Sequence, residues 1–177
     1  ERDQYVSRPS IEAIVKALEF ATEESVFEDW FSEAHHTPLE EAKRRIQIVL
    51  REGKNVLDLS GLCLKQLPRT IGELVDLTHL YLSRNELTSL PEEIGQLRSL
   101  TQLSLSRNKL TSLPKEIGSL SSLKRLYLSR NRIKILPKEI RFLLNLKELS
   151  LHRNYIDSLP EEIGSLINLE ELYLTRN

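Results

Sequence analysis

The chain has 177 residues, 40% of them apolar and 29% charged, with 25 basic and 26 acidic side chains. This composition belongs to a folded chain and excludes a disordered one. No apolar run approaches the ~18 residues of a membrane helix, and a single cysteine, Cys63, excludes an internal disulfide framework and a multi-cysteine zinc site. Charge is uneven: residues 1–53 carry 7 basic and 12 acidic side chains, whereas 54–177 carry 18 and 14. Two structural units are therefore expected, and the basic excess of the second is too mild to point to nucleic acid.

The first unit, residues 1–53, does not repeat and reads as an N-terminal α-helical cap. Ser10 is a helix N-cap for Ile11, Ile14, Val15 and Leu18, which recur on one helical face. A linker with Phe27, Trp30 and Phe31 comes next. Thr37-Pro38-Leu39-Glu40 then opens a second helix, with Thr37 as N-cap, Pro38 at the first position and Glu40 closing a capping box. Its apolar stripe is Leu39, Ala42, Ile46, Val49 and Leu50, and Gly53 ends it. This stripe is expected to lie over the open edge of the second unit, on its first coil.

From residue 54 the chain repeats itself every 23 residues: 54–76, 77–99, 100–122, 123–145, 146–168 and a partial copy, 169–177. The frame is L-x-x-L-x-L-x-x-N-x-L/I-x-x-L-P-x-E-I-G-x-L-x-x, seen in Leu77, Leu80, Leu82, Asn85, Leu87, Leu90, Pro91, Ile94 and Leu97. Such periodicity specifies stacked coils, each burying its leucines against its neighbours. The segment around Leu80-Tyr81-Leu82 alternates as a strand must, and stacked copies form a parallel sheet with strands ~4.8 Å apart. Asn85, Asn108, Asn131, Asn154 and Asn177 are expected to form a buried ladder, tolerable only if bonded to the backbone of adjacent coils. The prolines end the strand segments, Ile94 and Leu97 face inward from a short helical turn, and Gly95 is expected to permit a tight bend, although Arg141 replaces it in the fourth repeat. The first repeat departs from the frame, with Lys54 at a leucine position and Leu62 at the asparagine position. The last leucines, Leu172 and Leu174, precede Asn177 without a polar cap, so further protein is expected beyond it.

The frame resembles the leucine-rich repeats of the 23-residue class with L-P-x-E-I-G. That class occurs in many bacterial proteins, in plant intracellular Ras-group-related proteins and in animal Ras-pathway scaffolds. The resemblance implies an α/β right-handed solenoid, with a parallel sheet on the concave face and short helical turns on the convex face. Trp30, Glu41-Ala42 with Arg44-Arg45-Ile46, and LDLSGLCLKQLP resemble the helical cap of bacterial type III secreted effectors of the IpaH, SspH and YopM kind. The repeats of such effectors choose a host protein, and in the ligases a separate domain carries a catalytic cysteine. The repeats here are longer, no ligase domain is present, and Cys63 does not correspond to that catalytic residue. Cys63 reads instead as a packed or inert thiol.

The frame also gives three outward-facing columns. The first is His79, Gln102, Arg125, Glu148 and Glu171; the second is Tyr81, Ser104, Tyr127, Ser150 and Tyr173; the third includes Ser83, Ser106, Ser129 and His152. Tyrosines among serines suit a protein-binding face, because tyrosine and arginine anchor interfaces. A further column, Arg84, Arg107, Arg130, Arg153 and Arg176, stacks guanidiniums at ~5 Å. Either an acidic partner relieves their repulsion, or their heads pair with Glu86, Glu148, Glu170 or solvent.

No catalytic constellation, cofactor site or metal site is readable. His79 and His152 are about three coils, roughly 15 Å, apart; His35-His36 lacks a third ligand; the carboxylate pair Glu92-Glu93 belongs to an exposed convex face. The expected function is recognition of another protein through the concave face, without nucleic acid, membrane or small-molecule substrate. The expected role is the target-recognition part of a bacterial effector, including a ubiquitin ligase whose catalytic domain lies elsewhere. The alternative is a signalling scaffold of the Ras-group-related kind. The location is expected to be intracellular, in the bacterial cytoplasm or in host cytosol after secretion.

Overall fold

The structure is a computed structural model and describes residues 38–177. The helix expected from Ser10, the linker aromatics, Thr37 and His35-His36 lie outside the described residues.

Helix α1, Pro38–Glu52, ends where Gly53 is expected to stop it. Pro38 takes the first turn, where no amide donor is needed, and Glu40 and Glu41 there complement the helix dipole. The exit is a Schellman turn: Gly53 sits at φ 62° and the Lys54 N–H reaches back to the Val49 carbonyl at 3.0 Å. Ala42, Ile46 and Val49, spaced to share one face, are buried, and Leu50 packs partly against the same core. That face covers the first coil, as the stripe predicts. An arginine pair fixes the arrangement. Arg44 Nε and Arg45 Nε donate to the two oxygens of Glu41 at 2.8 and 2.6 Å. These bonds, Arg44's first, hold the Glu41 carboxyl down at about 2. Arg45 also donates to the Asp58 carbonyl at 2.9 Å, tying the helix to the end of the first strand.

Six three-residue strands come after the helix: β1 Val56–Asp58, β2 His79–Tyr81, β3 Gln102–Ser104, β4 Arg125–Tyr127, β5 Glu148–Ser150 and β6 Glu171–Tyr173. They pair in parallel in chain order, β1 to β6. The register equals the repeat length, so Leu57, Leu80, Leu103, Leu126, Leu149 and Leu172 stand in one row. The first five of these leucines are fully buried, whereas Leu172, on the last strand, is 37% exposed. A coil buries its leucines only between neighbours, and the fading burial at one end is the direct consequence.

The asparagines form the expected ladder, and its bonds are explicit. Asn85 Oδ1 accepts from the Leu62 and Leu64 amides at 3.0 Å each, while its Nδ2 donates to the Leu59 and Leu82 carbonyls. Asn108, Asn131, Asn154 and Asn177 repeat the two donated bonds one coil at a time, each Oδ1 accepting one amide, from Leu87, Leu110, Ile133 and Ile156 in turn. Each side chain thus bridges two coils and satisfies turn groups that no strand partner reaches. In the first repeat Leu62 takes the asparagine position and is buried as an apolar residue instead. Cys63, beside it, is exposed at φ 52°, which corrects the expectation of a packed thiol.

The convex side consists of five 3₁₀ turns: Arg69–Glu73, Glu92–Gln96, Lys115–Ser119, Lys138–Phe142 and Glu161–Ser165. A proline in extended geometry, φ between −69° and −66°, precedes each. The three-residue spacing of Ile94 and Leu97 matches the three-residue period of a 3₁₀ helix, so both point inward. The glycines of these turns act differently from the sequence expectation. Gly95 does not adopt a left-handed backbone. A Cβ there would lie 2.7 Å from the Glu116 carbonyl oxygen of the next coil, and at Gly118 one would lie 2.5 Å from that of Glu139. Glycine is present because adjacent coils approach closely. Gly118→Ala is therefore expected to lower unfolding stability by about 1–3 kcal/mol. Gly164→Ala, with nothing within 4 Å of its site, is expected to change it by less than about 0.5 kcal/mol; urea titration of the two variants measures the difference. Arg141 occupies the equivalent place in the fourth coil, its guanidinium 4.8 Å from the Phe142 ring.

Candidate functional site

The sheet carries the predicted columns on its outer face, and contacts between coils modify them. His79, Tyr81, Gln102 and Ser104 are half-buried, Arg125 is exposed, and Glu171 and Tyr173 are exposed on the last strand. His79 and Tyr81 rings lie 6.2 Å apart at 35°. Tyr127 is half-buried rather than free: its hydroxyl donates to Glu148 at 2.6 Å, and Arg125 Nε stands 3.9 Å from the same carboxylate. Burial and then the Glu148 carboxylate push the Tyr127 hydroxyl up to about 12. The Tyr173 hydroxyl donates to Glu171, whose carboxylate also raises it. The face thus grades from His79 and Gln102 at β2–β3 to a cluster of two tyrosines and two glutamates at β4–β6.

Ser150 is a correction. It is 6% exposed, and so is not a surface pocket. Its hydroxyl shares a hydrogen bond with Ser129 Oγ at 2.7 Å, and His152 Nδ1 stands within hydrogen-bond distance of both hydroxyls, 3.1 Å from Ser150 and 2.9 Å from Ser129. The network fixes the His152 ring but leaves neither serine open to attack a substrate. Ser83 and Ser104 make the same diagonal contact at 2.7 Å. No group of three or more His, Cys, Asp or Glu residues arranged to hold a metal occurs among the described residues.

The arginine column occupies an unusual backbone position. Arg84, Arg107, Arg130, Arg153 and Arg176 all lie in the left-handed region, at φ between 57° and 61°. That conformation brings the amides of Arg84, Arg107, Arg130 and Arg153 to carbonyls of the next coil, as in Arg107 to Ser129 at 2.8 Å and Arg130 to His152 at 2.9 Å. For a residue with a Cβ it costs on the order of 1–3 kcal/mol. In the first coil the equivalent residue is Gly61, at φ 73°, which avoids the cost. Every later coil uses arginine. The acidic residues named as internal partners are engaged elsewhere: Glu86 with Lys109 at 2.8 Å, Glu148 with Tyr127, and Glu170 with Lys147 at 2.6 Å. Among the described residues no carboxylate pairs with the column, and the Arg153 and Arg107 charges lower the proton affinity of Arg130 between them.

The leucine-rich repeat model matches residues 76–133, 98–144 and 121–177. The chain belongs to the leucine-rich repeat family. No curated protein matches it significantly. Among solved structures, this leucine-rich repeat chain is similar to a leucine-rich repeat protein of Leptospira interrogans, with 43% identity and a TM-score of 0.60 over 70% of this chain and 38% of that one. It is also similar to the leucine-rich repeat domain of the type III effector XopL, with 27% identity and a TM-score of 0.71 over 90% of this chain and 56% of that one. A third is the ectodomain of the Arabidopsis thaliana membrane receptor kinase GASSHO1/SCHENGEN3, in complex with Casparian strip integrity factor 2. It shows 31% identity and a TM-score of 0.61 over 78% of this chain and 16% of that one. The chain therefore spans well under two thirds of the length of each. The leucine-rich repeat fold commonly serves protein–protein recognition and is typically a non-enzymatic binding module.

Proposed function

We propose that this leucine-rich repeat chain recognises another protein through its concave sheet, as the target-recognition part of a bacterial effector. The observation that carries the reading is the β4–β6 cluster: Tyr127 and Tyr173 held by Glu148 and Glu171, beside Arg125. Tyrosines with fixed hydroxyls lose little rotamer freedom on binding, and aromatic and arginine side chains dominate interface energetics. The likeness to the XopL repeat domain supports the effector role, and the place of action is then host cytosol after secretion. A catalytic unit such as a ubiquitin-ligase domain belongs to other residues of such a protein.

The test is capture of partners from eukaryotic lysate on the immobilised 177-residue chain, against a Tyr81→Ala/Tyr127→Ala variant whose folding is checked by circular dichroism. A specific partner lost with the variant is the expected result. A partner retained undiminished by the folded variant contradicts the concave site, and specific capture from bacterial lysate alone contradicts the effector role.

A further inference from the structure

The arginine column is not used by the concave-face reading. It runs along the edge where the strands pass into the asparagine turns. A shallow groove of ≈ 520 Å³ runs beside it, with Arg107, Arg130 and Arg153 along its length, Arg132 and Tyr155 at its margin, and no acidic side chain in its lining. Arg132 is exposed, has no carboxylate partner among the described residues, and adds to the same positive field. Tyr155 is 60% exposed beside it.

Two independent observations indicate that this charge has an external use. The backbone at these positions favours glycine, which the first coil supplies as Gly61, yet five successive coils carry the strained arginine instead. Among the described residues the guanidiniums also remain without carboxylates, while Glu86, Glu148 and Glu170 are paired with Lys109, Tyr127 and Lys147. Arginine's planar fork suits carboxylates, and a row of such forks suits carboxylates at matching intervals.

The interval selects the kind of chain. Successive rungs lie one strand spacing apart, about 4.8 Å. An α-helix advances about 5.4 Å per turn, so acidic residues one turn apart drift from the ladder by only about 2 Å over four rungs, within the reach of arginine side chains. In an extended segment, same-side residues are about 6.7 Å apart, and the drift over four rungs is about 6 Å.

We propose that the arginine ladder is a second docking surface, one that receives an α-helix of a partner protein bearing a stripe of Asp or Glu at one-turn spacing. The helix lies along the stacking direction, its carboxylates shared among Arg84, Arg107, Arg130 and Arg153. Tyr155 and Arg132 flank it on the turn side.

The test uses the 177-residue chain and two fluorescent helical peptides of identical composition. One carries glutamates at i, i+4, i+7 and i+11 on one face, and the other has them dispersed around the helix. Anisotropy titrations are expected to show the striped peptide binding about tenfold tighter than the dispersed one, with affinity falling as salt rises. Arg107→Gly/Arg130→Gly/Arg153→Gly is expected to weaken the striped peptide by at least about tenfold without lowering the thermal midpoint, because glycine adopts this backbone without strain. If the glycine variant does not fold, Arg107→Asn/Arg130→Asn/Arg153→Asn, also tolerant of the left-handed region, takes its place. Equal affinity for the two peptides overturns the helix register, and undiminished binding by the folded variant overturns the site. Tighter binding of a single-stranded oligonucleotide replaces the protein partner with nucleic acid.

Discussion

Asn131→Ala is expected to lower the unfolding free energy of the chain by about 3 kcal/mol or more. Asn131 is 6% exposed. Its Oδ1 accepts the Leu110 amide at 3.0 Å, and its Nδ2 donates to the Leu105 and Leu128 carbonyls at 2.9 Å each. Truncation leaves the Leu110 amide unpaired in a buried turn, worth roughly 1–3 kcal/mol, and removes one of the two donors to each of the Leu105 and Leu128 carbonyls, roughly 1 kcal/mol apiece, although these keep Asn108 Nδ2 and Asn154 Nδ2. The coil also sits in mid-array, so it cannot relieve the loss by fraying as a terminal coil can. Asn177→Ala provides the comparison. Its bonds to the neighbouring coil are longer, 3.3 Å to the Ile156 amide and 3.2 Å to the Leu151 carbonyl, its 2.6 Å bond to the Leu174 carbonyl is exposed to water, and the residue itself is exposed, so about 1 kcal/mol or less is expected. Urea titrations of both variants measure the contrast. Equal losses at the two positions would mean that the ladder contributes through something other than burial of these bonds.

Leu126→Ala is expected to destabilise by about 2–5 kcal/mol, the range for removing a leucine side chain from a packed core. Leu126 is fully buried, in register between Leu103 and Leu149. The coils on either side are held in place by the backbone ladder and the asparagines, so the cavity cannot close by sliding one coil onto the next. Leu172→Ala, at the row's exposed end, is expected to change stability by no more than about 1 kcal/mol. A thermal or urea midpoint for each variant checks the gradient along one row of identical residues.

Most of the fold is legible in the sequence because the repeat restates its physical demands in every coil. Leu80, Asn85, Pro91 and Ile94 recur at fixed spacing, and each type permits only one sort of place in a stacked coil. The strand register equals the repeat length for the same reason. The features that the sequence hides depend on contacts between coils that the frame does not display. Columns written at intervals of 23 place residues side by side. The contacts that matter at the site are diagonal, as in Tyr127 to Glu148, Ser129 to Ser150 and Ser83 to Ser104. In a pleated sheet the second neighbour along the adjacent strand is within reach of a side chain. Pairing each frame position with the one two residues earlier in the next coil finds these contacts, and with them the burial of Ser150.

The glycines mislead for a related reason. A glycine in a turn suggests a special backbone angle, but Gly95 and Gly118 are set by the carbonyl of the next coil, which a single repeat does not contain. Conversely, the positions that do need a left-handed backbone carry arginine, a residue type that gives no such signal; only Gly61 in the first coil hints at it. The arginine column itself is visible in the sequence. Whether internal carboxylates serve it is not, because that depends on where Glu86, Glu148 and Glu170 find their partners.

The most direct measurement of concave-face recognition is hydroxyl-radical footprinting of the 177-residue chain with and without its captured partner. Tyr81, Tyr127 and Tyr173 lie on the sheet, whereas Tyr155, 60% exposed, and Phe142, 52% exposed, lie off it. Partner binding is expected to slow oxidation of Tyr81 and Tyr173 several-fold and to leave Phe142 unchanged. Protection of Phe142 with unchanged rates at all three sheet tyrosines would place the interface on the convex side and contradict recognition through the sheet.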